Sequence, residues 1–133
     1  MKNDRKFDTL DSLLKTINDL SEFSDIVVDT ASCRNSYGVT PLHIAATWGN
    51  ISALSLLIQN GASPNVTDVE MCTPLHEAVE QGHLNAVKFL VENGASLSAK
   101  NEDGLTPHDL AKVLNEQAIA NFFVGGIGTP IKF

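Results

Sequence analysis

Cationic side chains are in short supply: 9 Lys and Arg stand against 16 Asp and Glu in a chain of 133 residues, for a net charge of −7. A nucleic-acid binder needs a basic face to displace counterions, so that class is set aside. The balance suits a partner that is itself basic. Cysteine is scarce as well. Cys33 and Cys72 are too few for a disulfide framework and form neither a CxxC pair nor a metal-ligand spacing, which makes a reduced, cytoplasmic setting the expectation. No apolar run approaches the length of a membrane span, so no membrane is expected as partner. Residues 1–8 are charged and lead into no signal-peptide core. Asn50-Ile51-Ser52 and Asn65-Val66-Thr67 match the glycosylation sequon, and without a secretion signal both are read as chance. Aromatics are few, with a single Trp and a single Tyr.

What the chain does have is repetition. Thr40-Pro41-Leu42-His43 returns as Thr73-Pro74-Leu75-His76 and, altered, as Thr106-Pro107-His108-Asp109, with 33 residues between starts and no insertion. A fixed period of this length marks a solenoid whose units stack on their neighbours. In each unit the Thr hydroxyl is placed to cap free helix N–H groups, and Pro fits the first helical position, where its missing N–H costs nothing. Leu42, Ala45 and Ala46 form the apolar face of a first helix that ends at Gly49-Asn50. Ile51, Leu54, Leu57 and Ile58 line a second, which stops at Asn60-Gly61. In the next unit Gly82-His83 divides the pair, Leu84, Val87, Leu90 and Val91 face inward, and Asn93-Gly94 closes it.

The organisation follows by counting. Residues 1–33 carry Phe7, Leu10, Leu13, Leu14 and Ile17 at helical spacing and a second apolar group, Phe23, Ile26 and Val27, which together predict a capping helix pair without the repeat signature, the alternative being an unrelated helical extension. Residues 34–66 and 67–99 are full units. Residues 100–123 form a C-terminal cap, in which Asn115 replaces the dividing glycine and Ile119, Phe122 and Phe123 close the core. Residues 124–133 are a Gly-rich tail. Gly38 and Gly104 stand where a tight turn needs positive φ, but Met71 stands at the same place in the middle unit, so there the turn is altered or avoids that conformation.

The pattern Asp-x-x-x-x-Thr-Pro-Leu-His, then Gly-His-Leu, then Asn-Gly-Ala, on a period of 33, resembles the ankyrin repeat over about residues 34–123. The resemblance implies an all-α solenoid of stacked helix-turn-helix repeats with short hairpin turns, and binding of another protein without catalysis. It also implies that His43 and His76 are structural, holding each turn to its neighbour. Their separation of one repeat, roughly 10 Å, is in any case too great for a shared zinc. Glu77 and Glu80 have no evident reason for shifted pKa values, Cys33 and Cys72 lack a recognisable catalytic partner, and Gly125-Gly126-Ile127-Gly128 lacks phosphate-loop spacing. No catalytic residue, cofactor or metal is expected. A metal-dependent hydrolase using the histidines and Glu77 is the enzymatic alternative.

Carried over by phase, the resemblance implies that the positions left free for a partner are the turn tips and the two residues before the dividing glycine. These are Ser36, Tyr37, Val39, Thr47 and Trp48 in the first unit. Val69, Glu70, Cys72, Glu80 and Gln81 follow in the second, and Glu102, Asp103, Leu105, Val113 and Leu114 in the third. Tyr37 and Trp48 are the expected anchors, since such aromatics dominate interface energetics. The acidic set beside them, Glu70, Glu77, Glu80, Glu102 and Asp103, points to a basic patch on the partner. A free monomer that sequesters or inhibits one protein, in the manner of an immunity protein, is the expectation. An assembly subunit using its edge repeats and tail is the alternative.

Overall fold

The computed structural model describes residues 5–24 and 26–125; the expected tail lies outside the described residues from residue 126 on, as do residues 1–4. The chain begins with α1 (Leu10–Asn18) and a 3-10 turn, Ser21–Phe23. Three helix pairs follow: α2 (Pro41–Trp48) with α3 (Ile51–Gln59), α4 (Pro74–Glu80) with α5 (Leu84–Glu92), and α6 (Pro107–Val113) with α7 (Gln117–Gly125). No strand occurs among the described residues. Helices α2, α4 and α6 form one row and α3, α5 and α7 a second row behind it, with α1 against α2 and α3.

Each first helix starts by the same chemistry. Thr40 Oγ1 accepts the N–H of His43 at 3.4 Å, and His43 Nδ1 accepts the N–H of Thr40 at 3.1 Å. Thr73 and His76 repeat the exchange at 3.3 and 3.2 Å. These reciprocal bonds satisfy donors that a helix start leaves orphaned. Because Nδ1 accepts, the ring proton sits on Nε2, and it is given to the next unit: His43 to the Cys72 carbonyl and His76 to the Leu105 carbonyl, 2.9 Å each. In the third unit Asp109 takes the histidine's place at the cap, accepting from Thr106 N–H at 3.2 Å while Thr106 Oγ1 accepts from Asp109 N–H at 3.1 Å.

Leu42, Leu54, Leu57, Leu75, Val87 and Leu90 are sealed from solvent between the rows, and the alanines at 45, 46, 78 and 86 let the helices close on one another. Replacing any of the sealed leucines by Ala would cost about 2–5 kcal/mol. Ile51, at the start of α3, is exposed. Dividing residues Gly49, Gly82 and Asn115 take φ of 68°, 74° and 60°. At Gly49 a Cβ would also lie 2.5 Å from the ring of His83, whose Nε2–H donates to the Thr47 carbonyl at 3.0 Å.

Residues 1–33 were expected to hold a helix pair. Among the described residues they hold one helix and a 3-10 turn, with Ile26 and Val27 in irregular chain after it. Phe7 is not part of α1, because Thr9 caps the helix by accepting from Ser12 N–H at 3.2 Å. Phe7 instead crosses to the first repeat: its N–H donates to Ser52 Oγ at 3.0 Å and its ring is buried.

Candidate functional site

The turns between repeats are built alike. A side-chain oxygen of the residue that opens each turn accepts two N–H groups from the turn itself. Asn35 takes those of Tyr37 and Val39, both at 2.9 Å. Asp68 takes those of Glu70 and Cys72 at 2.9 and 3.0 Å, and Asn101 those of Asp103 and Leu105 at 3.0 Å. Such self-bonded Asn and Asp turns leave the following side chains free to project. The three tips are then tied into a row, Val69 N–H donating to the Tyr37 carbonyl at 3.0 Å and Glu102 N–H to the Glu70 carbonyl at 2.9 Å.

At Gly38, φ is 74° and a Cβ would stand 3.1 Å from Asp68 Cα, so the first tip needs glycine for both conformation and approach. The middle tip keeps the same backbone with a side chain in place. Met71 sits at φ 63°, and its N–H donates to the Asp68 carbonyl at 3.0 Å just as Gly38 N–H donates to Asn35 at 2.9 Å. Neither alternative expected from the sequence, an altered turn or avoidance of positive φ, is what the chain does.

The phased positions divide by surroundings. Tyr37, Val69, Glu70, Glu102 and Asp103 are exposed on the tips, and Ser36 with them. Glu80, Gln81, Val113 and Leu114 are exposed at the ends of α4 and α6. Val39, Cys72 and Leu105 are half-buried at the roots of the turns, and the carbonyls of the last two are taken by the histidines. Thr47 is half-buried, its hydroxyl 3.0 Å from the His43 carbonyl and 3.4 Å from Glu77 Oε1. Trp48 is not a free anchor. It stacks on Phe7 with 6.1 Å between ring centroids and 13° between planes, and the Arg5 guanidinium lies 4.8 Å from the Phe7 ring centre on that segment. The sequence held no sign of this, because Phe7 belongs to a part of the chain outside the repeat.

Acidic groups gather on the same side. Donor atoms of Asp68, Cys72 and Glu77 all lie within 4.8 Å of one another. Burial, then the charges of Glu80 and Asp68, push the Glu77 carboxyl up to about 7, against the opposing hydrogen bond from Thr47. Burial followed by the charges of Asp68, Glu77, Glu70 and Glu80 pushes the Cys72 thiol up to about 12. Glu77 therefore does have a reason for a shifted pKa, contrary to the sequence expectation: the turn root and the helix end fold together over it. The triad offers three donors to a cation, but Asp68 Oδ1 is spent on its own turn and no fourth ligand joins the group among the described residues, so no metal is assigned to it.

The histidines are used differently. Burial lowers the pKa values of His43 and His76, each ring bonded through both nitrogens, and His83 bridges to Thr47. Among the described residues, ion pairs form only within helices, between Asp11 and Lys15 and between Asp109 and Lys112. Glu70, Glu77, Glu80, Glu102 and Asp103 thus have no described cation within ion-pairing reach. The nearby Arg34 guanidinium donates to the Thr67 carbonyl at 2.8 Å. No described helix is long and apolar enough to cross a membrane.

Compared with known families, residues 37–69 match a family described as ankyrin repeat, and residues 57–111 match one described as ankyrin repeats in many copies. No curated protein matches the chain.

Proposed function

The chain belongs to the ankyrin repeat family, whose repeats serve protein–protein interaction, and from that premise we propose that it captures a partner bearing a basic patch and thereby sequesters or inhibits it. The partner lies across the turn tips and the exposed ends of α4 and α6. One observation supports the basic character of the partner: among the described residues, the carboxylates on this side pair with no cation. Opposite charges placed there would steer encounter and fix orientation more than they add raw affinity. Cys72, His43 and His76 have no catalytic part in this reading, and the chain acts by occupying a surface.

The test is to capture a partner on the full chain, purify it, and measure binding of the pair at low and high salt. Wild type should lose affinity as salt rises, chiefly through a slower association rate. The combined change Glu70→Lys, Glu80→Lys and Glu102→Lys should weaken binding by at least about tenfold and flatten the salt response. Salt-independent binding that survives this reversal would refute the basic partner.

A further inference from the structure

Met71 occupies a conformation that the other two turn tips give to glycine. Its φ of 63° matches Gly38 at 74° and Gly104 at 78° in the neighbouring tips, with the same turn hydrogen bond. A side chain at positive φ is strained because Cβ crowds the adjoining carbonyl, and such strain persists where something else repays it. Packing does not repay it here: Met71 is 51% exposed and lies outside the apolar core. Two further apolar residues, one on the same tip and one on the tip before it, are also exposed and outside the core, Val69 at 63% and Tyr37 at 66%. The Val69 N–H bond to the Tyr37 carbonyl joins their two tips. The acidic residues Glu70, Glu102 and Asp103 occupy the same tips and the next.

We propose that Tyr37, Val69 and Met71 are the anchor of the binding surface. They would take a partner segment that lays an apolar side chain on this row and sets a Lys or Arg against Glu70, Glu102 or Asp103. The proposal rests on the protein-binding reading above and locates its anchor. Met71 contributes an unbranched, polarisable chain that adapts to an incoming apolar group, and Tyr37 a rigid aromatic one. A second copy of this chain is a poor occupant, since it would bring the same carboxylates against each other on a molecule of net charge −7. An anionic lipid surface fails for the same reason. The strain at Met71 is then the part of the turn that serves the partner, because glycine would serve the fold better.

The chain contains 2 methionines, Met1 and Met71, so methyl-labelled methionine gives a direct reporter. The labelled full chain is titrated with a short peptide alternating Leu and Lys, and with its counterpart in which Glu replaces Lys. The Lys peptide should shift the Met71 methyl signal and leave Met1 in place; the Glu peptide should shift neither. Met71→Gly should weaken the Lys peptide by about tenfold with a Tm that is unchanged or raised. Saturable binding that leaves the Met71 methyl unmoved, or that Met71→Gly does not weaken, overturns the anchor and leaves the protein-binding reading standing. A lowered Tm in Met71→Gly makes Met71 a structural residue and also overturns it. No saturable binding of the Lys peptide overturns both.

Discussion

Glu77 illustrates how one side chain records the crowding of its surroundings. Its folded pKa is raised to about 7, so the folded state holds this proton where an unfolded chain, titrating near 4.5, has lost it. The stabilisation that this proton represents is complete below 4.5 and is lost as pH rises through 7. Glu77→Gln removes the titration while keeping an oxygen to accept from Thr47. The variant should therefore match wild type at pH 4 and exceed it at pH 8 by about 1 kcal/mol, after discounting for solvent screening of a partly exposed group. Urea unfolding at the two pH values checks this, and an equal gap at both would mean that charge is not the cause. His43 and His76 pull the other way. Their lowered pKa values contribute stability above about 6.5 that is lost as pH falls below it.

Within a repeat, the histidine and the threonine before it make a joint rather than a site. His76 closes its own helix cap and also reaches the Leu105 carbonyl, so His76→Ala strips partners from buried groups at two places. The expected loss is about 3 kcal/mol, read from denaturant midpoints. Asp109→Ala removes a cap whose bonds, among the described residues, stay within its own turn, so it should cost visibly less; equal losses would deny the inter-repeat bond any weight. The caps, the helix pairs and their dividing residues were legible in the sequence because each depends on neighbours three or four residues away, recurring on a fixed count. Asn115 adopting the glycine conformation was legible for the same reason. The N-terminal segment was not. Phe7 and Trp48 meet across forty residues outside the period, and spacing alone took Phe7 for part of a helix. Nor was Glu77's environment legible, since it depends on a turn root and a helix end brought together only by folding. At Met71 the departure from glycine was the available signal, and only the backbone shows that the turn conformation persists.

Across the whole molecule, contacts run from each unit to the next, as in other one-dimensional stacks. The middle pair has a neighbour on both sides: α4 touches α2, α5 and α6, whereas α1 touches only α2 and α3 among its principal contacts. Hydrogen exchange should thus be slowest for the amides of α4 and fastest, among the helices, in α1, where opening needs the fewest contacts broken. Uniform protection from α1 to α4 would contradict a stack of nearest-neighbour units. The histidine bond gives this stack a direction. Both links made by the capping histidines run from a donor ring in one unit to an acceptor carbonyl in the unit after it, with the same length at both joints, while His83 donates back to the Thr47 carbonyl. The second unit therefore presents on its leading side the acceptor it receives with, and on its trailing side the donor it gives with. A tandem duplicate of residues 67–99 would meet itself as plug and socket, so the stack carries in one side chain the means of its own lengthening.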